Sequence, residues 1–130
     1  MKSNVLSFKV ATTLAAYRIV AISAANTVAY PSGSTVLPIG VTLDTVKDTN
    51  QAIPVAVAGS IAKVEFNGNV SAGGLVASET DGRGTAFTLA STTTALTLSA
   101  AYVGILVGAT VAASGTVADV FIMPGYESGA

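Results

Sequence analysis

The chemistry open to this chain is bounded by what it lacks. It contains no His and no Cys. Imidazole general bases, His-ligated metals, thiolate nucleophiles, Cys-bound zinc and disulfides are therefore excluded. Seven carboxylates, six basic groups and abundant Ser and Thr remain. Two pairs of acids lie close in sequence, Glu79/Asp81 and Asp44/Asp48. Two carboxyl groups could do glycosidase-type acid–base work if the fold set them facing one another. Scattered in polar loops, they read as solvated charges. A Ser nucleophile needs a base beside it, and Lys47 and Lys63 are the candidate amines. Neither sits in an S-x-x-K pattern, and no G-x-S-x-G occurs. Asp44, Asp48 and Asn50 could ligate calcium, but the EF-hand Gly and closing Glu are missing. Gly82-Arg83-Gly84 belongs to neither phosphate-cradling pattern and reads as a turn. The sequence predicts no enzyme, no metal and no cofactor. A formal charge of −1 provides no basic face for nucleic acid.

The elements that carry these residues must be built from small side chains. Ala, Thr, Gly and Ser make up 64 of the 130 residues, and only 10% are charged. Soluble domains average about 25% charged residues. That contrast raises a membrane reading, which the details answer. No charge occurs from Gly84 to Ala118, and Gly104 and Gly108 have the G-x-x-x-G spacing. Yet Thr and Ser punctuate this stretch, and the block free of both runs only from Ala100 to Ala109. A spanning helix needs about 20 apolar residues. At the N-terminus Lys9 and Arg18 split the apolar run that a signal peptide would require. The hydrophobicity belongs instead to buried strands.

Turn clusters recur at short spacing, and Val, Ile, Thr and Phe fill the runs between them, the pattern of an all-β sandwich or barrel. Strands are expected over Tyr17–Ile22, Thr27–Tyr30, Val36–Leu43, Ile53–Val57, Ile61–Phe66, Leu75–Ala77, Ala86–Leu89, Leu96–Leu98, Tyr102–Val107 and Val117–Met123. A short helix is allowed near Ser91–Ala95 or Ser99–Ala101. Ile61–Phe66 alternates, so Ala62, Val64 and Phe66 share the core face. Asn67-Gly68-Asn69 and Asp81-Gly82-Arg83-Gly84 are turns. No internal repeat or interdomain linker is evident. The expected organisation is an extended N-terminal arm (1–9), a single compact β-barrel or β-sandwich-like domain (10–124), β-tulip-like in outline, and a C-terminal tail (125–130).

The middle of the chain carries a further pattern. It runs Leu37-Pro38-Ile39-Gly40-Val41-Thr42-Leu43-Asp44, Ile53-Pro54-Val55-Ala56-Val57-Ala58-Gly59 and Ala62-Lys63-Val64. It continues through Val70-Ser71-Ala72-Gly73-Gly74-Leu75-Val76, Gly82-Arg83-Gly84, Val103-Gly104-Ile105-Leu106 and Gly115-Thr116-Val117-Ala118-Asp119-Val120. Over roughly residues 28–123 this resembles the capsid cement, or head decoration, proteins of tailed bacteriophages. The resemblance implies a homotrimer, made in the host cytoplasm, that binds the outer surface of the virion head. There it would bridge subunits of the major capsid protein and stabilise the shell, with no membrane or nucleic-acid partner. It also implies that the arm contacts a partner. Val5, Leu6 and Phe8 are its apolar residues and could add a strand to a neighbour's sheet. The alternatives are another virion component, such as a tail tube or head fibre base, and a ligand-binding β module. The last would stack sugars on exposed aromatics, and the chain has no Trp.

Overall fold

Val outnumbers Leu and Ile in this chain, and β-branched side chains pack well on a pleated surface. A computed structural model describes residues 4–32, 36–48, 51–87 and 99–128. Among the described residues there are ten strands and no helix: β1 (Val5–Val10), β2 (Ile19–Ala24), β3 (Thr27–Ala29), β4 (Gly40–Thr42), β5 (Ala52–Ala56), β6 (Ile61–Glu65), β7 (Leu75–Ser78), β8 (Gly84–Ala86), β9 (Ser99–Leu106) and β10 (Val117–Ser128). No helix among them is long and apolar enough to cross a membrane.

Strands β1-β3-β2-β4-β5 form a closed barrel, with β5 returning to β1. Strands β6-β10-β9-β7-β8 form a second sheet. A parallel bridge from Phe66 to Gly84 brings the ends of β6 and β8 together.

The two units repeat one another in strand order and register. Adding 56 to the numbers of β1–β3 gives β6–β8, and the shift grows to 64 at β4/β9 and 65 at β5/β10. Thus Ile19↔Val41 becomes Leu75↔Ile105, and Val41↔Ala56 becomes Ile105↔Phe121. Leu6↔Val55 becomes Ala62↔Val120. The bridge Leu14↔Val46 becomes Val70↔Val111, with both N–H···O bonds present in each copy. Turns follow suit: Tyr17 and Asn26 have φ of 63° and 54°, and their counterparts Gly73 and Gly82 have 83° and 81°. Such angles favour Gly and Asn. Gly40 and Gly104 also correspond, and a Cβ at either would drive into a carbonyl oxygen of the adjacent strand, Ala56 or Phe121.

The cores match as well. Val10, Leu14, Val20, Val46 and Val55 are buried in the first unit. Phe66, Val70, Val76, Val111 and Val120 are buried at the equivalent positions of the second. One substitution is compensated across a bridge. Val10 pairs with Val28 in the first unit, and Phe66 pairs with Gly84 in the second. A Cβ on Gly84 would lie 2.8 Å from the Phe66 ring, so the larger side chain takes the space that its partner vacates.

The all-β expectation holds, and so does the inward face Ala62, Val64, Phe66. Three boundaries differ from the expectation. Val5–Lys9, read as part of a separate arm, is hydrogen-bonded along β5 as a barrel strand, while residues 1–3 lie outside the described residues. The segment 125–128, read as tail, continues β10: beyond a bulge at Pro124, where no N–H is available, Gly125 pairs with Tyr102 and Ser128 with Ser99. Ser99–Ala101, a candidate helix, is the start of β9. The candidate helix at Ser91–Ala95 and strand at Leu96–Leu98 lie outside the described residues.

Candidate interaction surface

The two units meet where β2 begins. Tyr17 takes its left-handed turn, and the chain then enters β2 with its edge against the second unit. Tyr17 O accepts a bond from Glu65 N (2.9 Å), and Ile19 N donates to Gly82 O (2.6 Å). In the first unit the counterparts of Glu65 and Gly82 bond to each other, Lys9 N to Asn26 O at 2.8 Å. The second unit is thus held open by the first, and its β6 and β8 share the inserted edge.

Charges flank this seam. Arg18 Nη1 donates to Asp81 O (2.9 Å), and Arg18 Nη2 lies 3.6 Å from Glu65 Oε1. Arg83 Nη1 lies 3.8 Å from Glu65 Oε2, and Arg83 Nε donates to Asp81 Oδ2 at 2.8 Å. Burial alone would raise the Asp81 carboxyl, but the backbone N–H and guanidinium of Arg83, with the Arg18 charge, hold it below its ordinary value. Arg18 Nε is buried without a hydrogen-bond partner. A cluster with such an uncompensated donor orients the units more than it stabilises them. It also engages Asp81, one member of the Glu79/Asp81 pair, together with Glu65. Asp119 pairs with Lys63, and Asp44 accepts from Thr45 N. Among the described residues no three acidic groups gather in a metal-binding cluster. Asn50, the third oxygen of the calcium reading, lies outside them.

Beneath the charges the contact is apolar. Ile19, Val41 and Ala56 point away from the first barrel, are almost fully buried, and belong to the same cluster as Ala62, Val64, Phe66 and Ile122. Strand β4 packs against β6 and β10. The outer face of the first unit therefore closes the end of the second. Ser60, between the units, is buried; its Oγ accepts from Asn4 N and donates to Asn4 O.

The arm residues named from the sequence lie on β1. Val5 and Leu6 are 43% and 53% exposed, and Phe8 is half-buried. One edge of β1 is held by β5 throughout, and β3 takes the other at Lys9 and Val10. Leu6 and Phe8 share a face with buried Val10, so they are inward-facing residues at the mouth of the first barrel. The sequence shows three apolar residues in a polar segment, and the ladder that makes the segment a strand joins it to β5, far along the chain. A shallow cavity of about 350 Å³ opens elsewhere, between Thr13, Leu14, Tyr30, Thr45, Val46 and Lys47. The Tyr30 hydroxyl in it accepts from Ala15 N and Thr45 Oγ accepts from Ala16 N, so its polar groups serve the backbone.

No protein family matches the sequence, and no curated protein does. The fold is similar to a solved structure, the N base of the head fiber protein gp8.5 of bacteriophage phi29. The TM-score is 0.66 at 14% identity, over 94% of this chain and 95% of that one. At that identity the likeness establishes a shared fold.

Proposed function

We propose that the chain is a non-enzymatic structural protein of a tailed-phage head, seated on the outer capsid surface against the major capsid protein. One observation carries the reading: the match to the fold of a head fibre base covers 94% of this chain and 95% of the solved one. The exposed surface agrees with a life in an assembly. Large apolar side chains are exposed at Val5, Leu6, Ile22, Leu37, Val107 and Val117, in a chain with few charges to keep it apart from its neighbours.

Two roles fit this seat. A fibre base anchors a projecting fibre, as the fold likeness suggests. A cement protein, trimeric in this proposal as the sequence resemblance implies, bridges capsid subunits and stiffens the shell. Val5, Leu6 and Phe8 are the proposed partner-binding residues in either role, the partner being the capsid or a neighbouring copy of the chain. Mixing the purified chain with heads that lack it, then sedimenting, tests the seat: the protein should pellet with heads and not with isolated tails. Pelleting with tails alone would favour a tube component and end the proposal. The roles then separate on heat challenge. Loss of a cement protein lowers the temperature at which filled heads burst; loss of a base leaves it unchanged and removes the projections.

A further inference from the structure

The internal repeat turns one contact inside the chain into a template for another between chains. The contact uses two surfaces. One is the outer face of the first unit, Ile19, Val41 and Ala56, all buried. The other is the mouth of the second unit, with Ala62, Val64 and Ile122 buried beneath it. The apolar part of each surface exists a second time, at equivalent positions and more exposed among the described residues; the backbone bonds of the seam are not repeated, because Lys9 N already donates to Asn26 O within the first unit. The outer face of the second unit is Leu75, Ile105 and Phe121, and all three are half-exposed. The mouth of the first unit is Leu6, Phe8 and Val57. Leu6 is 53% exposed where Ala62 is 5%, and Phe8 and Val57 are half-buried where Val64 and Ile122 are fully buried.

We propose that these two free surfaces cover each other between copies of this chain: the outer face of the second unit closes the mouth of the first unit of the next copy. The contact is head to tail, because the surfaces differ. The occupant is a second copy, since the equivalent face of the first unit already packs on the equivalent mouth within the chain.

The charges agree. Arg18, Glu65, Asp81 and Arg83 flank the contact inside the chain. Their equivalents across the contact between copies are Gly74, Lys9, Ala25 and Thr27. One lysine is left, with no like charge opposite it, so the contact between copies is apolar and is not opposed by repulsion. This inference does not depend on a seat on phage heads; it concerns the chain alone.

Complementation tests it. Leu6→Asp spoils the mouth and Ile105→Asp spoils the outer face. In light scattering the parent chain should exceed the mass of one copy at micromolar concentration, and each variant alone should run as a single copy. Mixed one to one, the variants should form a dimer, because each retains the surface that the other has lost. A contact between like surfaces would give no rescue. Circular dichroism checks that each variant keeps its β signal, and Leu75→Asp replaces Ile105→Asp if that variant does not fold. A second measurement needs no disruption. The chain has no native Cys, so Leu6→Cys with Ile105→Cys, which mirrors Ala62 and Val41, should crosslink under oxidation into a ladder of joined chains. A parent chain that stays single, an unrescued mixture of folded variants, or an absent ladder would each overturn the proposal.

Discussion

The two units share a strand order, a register and a core pattern, and they differ in closure and in cover: Lys9 N bonds to Asn26 O in the first, and the edge of β2 takes the equivalent groups, Glu65 N and Gly82 O, in the second. The mouth of the second is closed by the first, and its inward-facing residues are small or fully buried, as at Ala62 and Ile122. The mouth of the first is open, and its equivalent residues, Leu6 and Val57, remain in contact with solvent. The difference shows that exposure here is set by position in a series of units rather than by the unit itself. An apolar residue such as Leu6 is no flaw in the first barrel's surface. It is an interior position of the repeat that no described residue covers fully, and the proposed cover is a second copy of the chain.

The comparison can be broken most sharply by a buried charge. Ala62→Asp places a carboxylate in the closed mouth and is expected to cost about 3–5 kcal/mol. Leu6→Asp, at the equivalent open position, should leave a single chain's stability within about 0.5 kcal/mol. Urea denaturation midpoints of the two variants measure the contrast, and equal losses would show the mouths to be alike. Gly40→Ala and Gly104→Ala come next. Each sets a methyl against a strand carbonyl, and about 3 kcal/mol is expected from both. Unequal losses, read from the same midpoints, would show that the repeat is not equivalent at its closest approach.

Core compensation gives a smaller effect. Phe66→Val leaves a void and should cost about 2 kcal/mol. Adding Gly84→Val recreates the Val10–Val28 pair of the first unit and should recover part of that loss, a coupling that a double-mutant cycle reads directly. The smallest effect belongs to the charges at the seam. Because the Asp81 carboxyl is held below its ordinary value of 3.8, its contribution is present at neutral pH and is lost as acid protonates it in the folded state. Asp81→Asn should flatten the acid limb of the stability profile by a few tenths of a kcal/mol, since solvent screens the half-exposed group. Thermal midpoints between pH 7 and pH 2 would register it.

Much of the fold was legible because local chemistry and global structure agree there. Alternation in Ile61–Phe66 and the Gly82 turn each state their structure in a few residues. The repeat was not legible. At equivalent positions the units share Ala16/Ala72, Val20/Val76, Ala21/Ala77, Gly40/Gly104 and Val55/Val120 among described residues, and few others. Val-for-Phe and Val-for-Gly exchanges preserve volume across a pair without preserving letters. The interaction surface was half legible. Val5, Leu6 and Phe8 stood out as apolar residues needing a partner. Their place on a barrel strand did not, because the ladder to β5 joins residues some 50 positions apart. The seam was missed altogether: Arg18, Glu65 and Arg83 come from three separate elements, and no spacing in the sequence joins them.

Electron microscopy of the assembled protein on phage heads, resolved well enough to separate the two units, tests the central claim most directly. The account expects density in which the second unit of each chain abuts the first unit of the next, with Leu75, Ile105 and Phe121 covered by the Leu6 mouth. Chains standing apart on the shell, or joined through like units, would contradict it.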